Sequence, residues 1–319
     1  MEEDNLQDWL VGMRLHQGVK LVTGPRGWGK SAQLKVFRQW LLDQGVPPER
    51  ILLFNAEHAP VNRFVTPDQV VTFIGSQIGL QSWSYVLIQE GGGLPMPATT
   101  LAELSNSSNY NVFVTASSRQ FLTWGGDALK EKVSIYECPP RILPKETAFL
   151  RWNESMLNDA LLTNRLLDAS LLVRIMRYLS DSLGNPISLR AVCAAVSPQG
   201  KIFSPHTIST YLDVLEDAHL VEKCLVFDDF AGMTSNAGYR YFFMDPSLRI
   251  EVFGPSPSEE EWRVNLNLAW LQLREKQRVY VAPKGNRADF ITCPGDGKFD
   301  YWKATMSGAE ECSARSDSQ

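Results

Sequence analysis

The sequence has few cysteines and no excess of positive charge. Its 319 residues contain five cysteines, and no two of them form a C-x-x-C pair. This spacing argues against a zinc site and against a disulfide scaffold, and it indicates reduced, buried thiols. The formal net charge is -5. A chain with this balance has no global positive field that would attract DNA or an anionic membrane.

Long apolar runs and a targeting segment are also missing. No apolar run approaches the roughly 18 residues that a membrane-spanning helix requires. The opening residues, Met1 to Leu6, are acidic and lack the basic region and the apolar stretch of a signal peptide. We therefore expect a cytoplasmic protein with no membrane partner. The length of the chain predicts two or three domains.

What the sequence does contain is a complete phosphate-binding loop. Residues 24–31 match the pattern G-x-x-x-x-G-K-[ST]. Residues 19–23 precede the loop as a short apolar strand, and residues 32–42 follow it with apolar residues at helical spacing. Backbone N–H groups of such a loop cradle phosphates at the positive end of the helix. The predicted ATP-binding residues of the loop are Gly24, Pro25, Arg26, Gly27, Trp28, Gly29, Lys30 and Ser31.

Two residues of the loop and two of a later strand make up the predicted reaction site. Lys30 is expected to reach the β- and γ-phosphates, and the Ser31 hydroxyl to coordinate Mg²⁺. The apolar strand 85–90 ends where P-loop NTPases place an Asp for the metal and then a catalytic Glu. Here Gln89 holds the Asp position, so it can serve the metal only by accepting a hydrogen bond from a metal-bound water. Glu90 can still polarise an attacking water. We predict an ATPase with a weakened second acidic motif.

Polar residues follow another apolar strand, 112–115. The carboxyl ends of parallel strands face the nucleotide crevice, so Thr115, Ser117 and Ser118 are candidate sensors of the γ-phosphate. Of these, Ser117 is assigned to the ATP site. Arg119 is either a phosphate ligand or an exposed residue at a helix start.

A histidine and a glycine run near the predicted site each have an interpretation that involves no role in catalysis. His58 follows the strand 51–55 and is either close to the site or a locally satisfied loop residue. The run Gly91-Gly92-Gly93 lacks a following Lys-Ser or helix start, so it is interpreted as a flexible linker.

Strands and helices alternate through residues 1–150. This alternation is typical of a parallel sheet that is covered by helices on both faces. The predicted fold class is α/β, with a P-loop NTPase parallel-sheet domain followed by a winged-helix domain and a small α+β C-terminal segment. The predicted strands lie at 19–23, 51–55, 85–90, 112–115 and 133–136.

The order helix, helix, helix, hairpin predicts a winged helix over residues 151–255. Its third helix begins with Ser204 as the N-cap and Pro205 at the first helical position. Two strands, 220–227 and 240–244, form the wing. Beyond it, residues 256–306 combine an apolar helix with short strands, and the polar tail 307–319 is expected to be disordered.

Charge decides against DNA as the partner of this winged helix. Residues 160–253 carry eight basic and ten acidic residues, and residues 205–216 contain no Lys or Arg. Duplex affinity comes mostly from basic contacts to phosphates, so we do not expect a nucleic-acid partner. Another protein or the protein's own subunit is the expected partner.

Three parts of the chain together resemble a known family. They are residues 23–31 with 85–90 and 114–118, the winged-helix stretches 207–221 and 241–245, and residues 288–291 with Lys303. In this order they resemble prokaryotic AAA-type P-loop ATPases whose uncharacterised C-terminal part is a winged helix followed by a nuclease-like region. The resemblance implies binding of ATP and its hydrolysis with Mg²⁺.

The departures from the family pattern are also informative. Gln89 stands where the family has Asp, and Ala116 where it has Gly. The nuclease-like end of the family looks like Asp followed by Glu-x-Lys; Asp289 and Lys303 match it, but Tyr301 occupies the Glu position. Phosphodiester cleavage needs clustered carboxylates to hold the metal. This end is therefore interpreted as degenerate, without nuclease activity.

Two functions follow from these patterns. The first is a Mg²⁺-dependent ATPase whose nucleotide state moves the winged helix. The alternative is a nucleotide-gated protein-interaction module with little or no hydrolysis. Arg119, Arg141 and Arg151 are all candidates for an arginine finger, which could also come from another subunit. The pathway and the oligomeric state stay open.

Overall fold

A computed structural model describes residues 3–78, 83–106, 109–118, 132–138, 168–197, 202–227, 239–247, 249, 260–283, 286–293 and 298–312. The chain divides into two compact units, Met1–Pro139 and Pro140–Gln319. Within the described residues, no helix combines the length and the apolar character that crossing a membrane requires.

The first unit is built on a five-stranded parallel sheet in the order β2-β3-β4-β1-β5. Its helices are α1 (Glu3–Gly12), α2 (Lys30–Asp43), α3 (Pro67–Ile78) and α4 (Pro97–Asn106). This arrangement confirms the predicted P-loop NTPase sheet. The strands are β1 (Val19–Thr23), β2 (Ile51–Asn55), β3 (Ser84–Gln89), β4 (Tyr110–Ala116) and β5 (Val133–Glu137).

The central strands are mostly apolar, with polar residues concentrated near their ends. Every residue of β1, β3 and β4 is buried, as expected for parallel strands with both faces covered. On α2, apolar residues three and four apart face the sheet, and Leu34, Phe37 and Leu41 are at most 1% exposed. The Phe37 ring lies 4.9 Å from that of Phe113 on β4. This packing fixes the beginning of α2 at the carboxyl end of β1.

The second unit opens with three helices and a two-stranded antiparallel sheet. The helices are α5 (Ala169–Asp181), α6 (Leu189–Val196) and α7 (Pro205–Asp217), and the strands are β6 (Val221–Leu225) and β7 (Tyr239–Phe243). Each helix begins at a side-chain cap; the Ser204 hydroxyl, for example, accepts a hydrogen bond from Thr207 N at 3.0 Å. The element order is the one predicted for a winged helix, an assignment that stays a prediction.

A long helix and a second sheet complete this unit. The helix α8 (Glu260–Lys276) is followed by a four-stranded antiparallel sheet in the order β11-β10-β9-β8. Trp270 of α8 stacks on Phe242 of β7, with ring centroids 5.0 Å apart. One core includes buried residues of α5 to α8 together with Val281 and Phe290, so the predicted segments 151–255 and 256–306 share it. The strands of the sheet are β8 (Val279–Val281), β9 (Phe290–Thr292), β10 (Asp300–Thr305) and β11 (Gly308–Cys312).

The predicted disordered tail is wrong for residues 308–312. These residues form β11, which pairs with β10 from Thr305↔Gly308 to Tyr301↔Cys312. Ala309 N also donates a hydrogen bond to Gln272 Oε1 on α8, at 3.0 Å. The polar composition of these residues suggested disorder. Backbone pairing with β10 and the contact with α8 are nevertheless enough to order them as a strand. Residues 313–319 lie outside the described residues.

Candidate functional site

The loop between β1 and α2 has the backbone conformation of a phosphate-binding loop. Gly24, Gly27 and Gly29 have φ angles of 148°, 79° and 82°, which residues with side chains rarely adopt. Gly24 also approaches the chain after β5 closely, because a Cβ placed on it would lie 2.9 Å from Cys138 Cβ. Trp28 is 4% exposed, so its side chain lies in the interior.

Lys30 is buried at the start of α2, and its ammonium group has three acceptors. Its Nζ donates hydrogen bonds to Gly24 O and Pro25 O, both at 2.8 Å, and to Ser117 Oγ at 3.0 Å. Lys30 is 3% exposed and Ser117 is 4% exposed. The structure thus brings together the predicted phosphate-binding lysine and the predicted sensor serine from the ends of β1 and β4.

Gln89 lies against the first turn of α2. Its Nε2 donates a hydrogen bond to Ser31 O at 2.9 Å. A backbone carbonyl can only accept, so the amide nitrogen must face α2, and Oε1 lies on the other side of the amide group. The hydrogen bond holds Gln89 against the first turn of α2, and its role in holding a metal-bound water stays a prediction.

Glu90 follows β3 in a strained backbone conformation. Its φ of 50° and ψ of 62° lie in the left-handed region, which is uncommon for a residue with a side chain. Glu90 N donates a hydrogen bond to Thr115 Oγ1 at 3.1 Å. Thr115 therefore positions the backbone of Glu90. Strain of this kind clusters at functional sites, which supports a functional role for Glu90.

Arg26 connects the loop to the ends of two strands. Its NH1 and NH2 donate hydrogen bonds to the Glu57 carboxylate at 3.1 and 2.7 Å. The same NH2 lies 3.9 Å from Glu90 Oε2. Glu57 was not among the predicted site residues, although it lies two residues after the end of the apolar strand β2. Recognising it requires the knowledge that β2 lies beside β3.

The glycine run after Glu90 is a turn rather than a flexible linker. Gly91–Gly93 forms one turn of 3₁₀ helix, and Gly93 N donates to Glu90 O at 3.0 Å. A Cβ on Gly93 would lie 2.9 Å from the Ala56 carbonyl group and 3.0 Å from Glu57 N. Glycine is needed here because the turn passes this close to the backbone at the end of β2.

The remaining residues of the predicted site are peripheral or outside the described part of the chain. His58 is exposed, and Ser118 is half-buried. Arg119, Arg141 and Arg151, the candidates for an arginine finger, lie outside the described residues.

The C-terminal sheet contains the two matching residues of the nuclease-like pattern. Lys303 Nζ lies 3.2 Å from Asp289 Oδ2, and the same carboxylate oxygen accepts a hydrogen bond from Ala304 N at 2.9 Å. Tyr301 is half-buried on β10. In the ranges that the structure describes, no three His, Cys, Asp or Glu side chains come together as a metal site. Asp289, which immediately precedes β9, therefore links the start of that strand to Lys303 and Ala304 on β10.

Comparisons with known proteins assign both parts of the chain. Residues 16–143 match the model of an AAA domain, and residues 152–259 match a domain of unknown function, DUF8612. The chain is 22% identical over 339 residues to an uncharacterized protein of Haemophilus influenzae, with 93% of this chain and 84% of the relative covered.

Three solved structures are similar at low scores. The Aeropyrum pernix ORC1 protein in complex with DNA has a TM-score of 0.35 at 13% identity and covers 78% of this chain and 90% of its own. Cdc6p from Pyrobaculum aerophilum has a TM-score of 0.32 at 10% identity, with 79% and 91% covered. C. elegans PCH-2 has a TM-score of 0.34 at 13% identity, with 67% of each chain covered. Scores this low carry no argument about function.

The loop geometry, the parallel sheet and the matched model agree on the first unit. The first unit has the fold of a P-loop NTPase and is similar over residues 16–143 to an AAA domain, and residues 152–259 are similar to a domain of unknown function.

Proposed function

We propose that the AAA domain binds ATP with Mg²⁺ and hydrolyses it, and that the nucleotide state alters the position of the C-terminal unit. One observation carries the proposal. Lys30 begins α2 behind the glycine loop, and Gln89, Glu90 and Ser117 lie at the carboxyl ends of the adjacent strands β3 and β4, close to the same loop and helix start. A chance glycine turn would not gather these groups on one side of the sheet.

Lys30 is ready to exchange its partners for phosphate oxygens. Two loop carbonyls and the Ser117 hydroxyl accept hydrogen bonds from its ammonium group. Phosphate oxygens carry more negative charge than these acceptors, so the ammonium group gains by the exchange. Ser117 then lies beside the same ammonium group, where it can donate its hydroxyl to the γ-phosphate.

The donors near Ser31 fit Mg²⁺. A serine hydroxyl and a glutamine oxygen are hard oxygen ligands of the kind that Mg²⁺ takes, directly or through water. Bound Mg²⁺ would neutralise charge on the phosphates. Gln89 and Ser31 would hold it. Glu90, which follows Gln89 at the end of β3, would orient the attacking water. The neutral Gln89 leaves this site one negative charge short of the usual motif.

Turnover of ATP by the full chain tests the proposal. Lys30→Met removes charge-assisted hydrogen bonds, so ATP should bind about 100-fold more weakly or worse. Glu90→Gln should keep the Kd for ATP within about threefold and lower kcat by about 100-fold or more. The exposed residues Lys35 and Glu103 provide matched controls as Lys35→Met and Glu103→Gln. Full activity in Glu90→Gln would remove that residue from the mechanism.

A second candidate function is a nucleotide-gated protein-interaction module with little or no hydrolysis. The neutral side chain of Gln89 favours it. Gln89→Asp separates the two candidates: a large gain in Mg²⁺-dependent turnover means that the natural residue restrains hydrolysis. The variant also loses the donor to Ser31 O. For that reason, nucleotide affinity must be measured alongside turnover.

The partner of the C-terminal unit is proposed to be another protein or a second copy of the chain, bound through a winged helix. The exposed face of α7 presents His206, Thr210 and Asp213, and no Lys or Arg. This surface offers little for a phosphate backbone. Salt-sensitive binding of duplex DNA by the full chain, at low salt, would contradict the proposal.

A further inference from the structure

The Arg26 guanidinium lies between two carboxylates at the edge of the sheet. Glu57 binds it through two hydrogen bonds, at 2.7 and 3.1 Å. Glu90 Oε2 is 3.9 Å from the same NH2 group, which is beyond hydrogen-bond range. The side chains of Arg26 and Glu90 are 16% and 11% exposed, whereas that of Glu57 is 39% exposed. Arg26 is thus closely paired with Glu57 and only loosely with Glu90.

Glu57 is held in place through its own backbone. Its N–H donates to Asn55 Oδ1 at 2.9 Å, and its carbonyl accepts from Asn62 Nδ2 at 2.9 Å. Gly93 packs against the same backbone from the neighbouring turn. These contacts aim the carboxylate at the loop, so the two-pronged pairing with Arg26 is a built feature of the site.

Glu90 has little freedom to avoid Arg26. Its backbone is fixed by the hydrogen bond to Thr115 and by the turn that follows. If the Glu57 carboxylate were lost, the Glu90 carboxylate, 3.9 Å away, could pair with the guanidinium in its place. An arginine and a carboxylate at this distance and burial then form a direct charge-assisted hydrogen bond. A carboxylate that is committed to arginine is less able to orient a water molecule.

We propose that Glu57 is a positioning residue of the ATPase site: it holds Arg26 away from Glu90 and so keeps the Glu90 carboxylate available for the attacking water. The inference rests on the proposed hydrolysis of ATP. Glu57 acts through Arg26 and touches neither the phosphates nor the water. Loss of Glu57 should therefore lower kcat rather than the affinity for ATP, and only when Arg26 is present.

The test is a double-mutant cycle on the full chain, with the Kd for ATP and kcat measured separately. Glu57→Gln keeps the shape of the side chain but breaks the two-pronged pairing. We expect kcat to fall about tenfold or more while the Kd changes by less than about threefold. In an Arg26→Met background the same change should alter kcat by less than about twofold, because nothing is left to pair with Glu90. Glu49→Gln, an exposed carboxylate change, is the matched control.

The outcomes separate this inference from the function on which it rests. Turnover that depends on Lys30, with Glu57→Gln equally harmful in both backgrounds, overturns the positioning role and leaves the ATPase intact. An unchanged kcat in Glu57→Gln also overturns the positioning role and leaves the ATPase intact. Turnover that is absent from the wild type, or independent of Lys30, overturns both.

Discussion

Asn267 joins helix α8 to the edge of β7, and its replacement should destabilise the whole second unit. Its Oδ1 accepts a hydrogen bond from Phe243 N at 2.8 Å, and its Nδ2 donates to Phe243 O at 2.8 Å. Asn267 is 1% exposed and Phe243 is 0% exposed. A single amide therefore satisfies both polar groups of a buried peptide position, as a neighbouring strand would.

Asn267→Leu leaves both Phe243 groups without a partner. Each buried, unsatisfied group costs about 1–3 kcal/mol, and the apolar area gained by leucine offsets about 1–2 kcal/mol. The expected loss in the free energy of unfolding is therefore roughly 1–4 kcal/mol. Asn265→Leu is the matched control on the same helix, at a half-buried position. We expect it to change the free energy by less than about 1 kcal/mol.

Native-state hydrogen exchange, read peptide by peptide by mass spectrometry, measures the loss in each unit of the full chain. Peptides from α5, α7, β7 and α8 should lose protection together, while those from β1 and β4 should not change. Unchanged protection in β7 would refute the energetic role of the two hydrogen bonds. A loss confined to α8 would refute the shared core.

The first unit supplies two further predictions. Lys20 is fully buried, and burial lowers its pKa to about 8, so folding disfavours its charged form relative to the unfolded chain. The free energy of unfolding should then rise by roughly 2 kcal/mol from pH 7.5 to 9.5, because the unfolded chain binds the proton more tightly than the folded one. Urea titrations at several pH values measure this rise, and the Lys20→Met variant should lack it. Gly93→Ala should displace the backbone of Ala56 and Glu57 and lower the thermal midpoint, whereas Gly92→Ala, with open space around it, should not.

The phosphate loop was predictable because its chemistry is local. A short apolar strand, the glycine pattern and an amphipathic helix lie within 25 residues of one another, so Gly24 and Lys30 could be assigned without any knowledge of the fold. The position of Glu90 was also readable, since it directly follows an apolar strand. Its left-handed backbone was not, because that conformation depends on Thr115 of a different strand.

Features that depend on strand neighbours were missed. The importance of Glu57 follows only from the adjacency of β2 and β3, which no local pattern encodes. The run Gly91–Gly93 suggested flexibility by composition, yet it forms a tight turn because the Ala56 backbone lies against it. Residues 308–312 suggested disorder by polarity, yet they pair with β10. In each case a contact distant in sequence outweighed the local preference.

The core shared by α5 to α8, β8 and β9 constrains how the C-terminal part of this protein can evolve. Tyr301, at the position where the nuclease-like pattern has a carboxylate, is half-buried on β10 and packs against a small cluster that includes Tyr280 and Ile291. Trp270 and Phe290 are buried more deeply, since both are at most 1% exposed within the core that the first three helices of the unit also line. Deletion of the segment would uncover those helices. The segment therefore supports the fold of the whole second unit, independently of any chemistry at position 301.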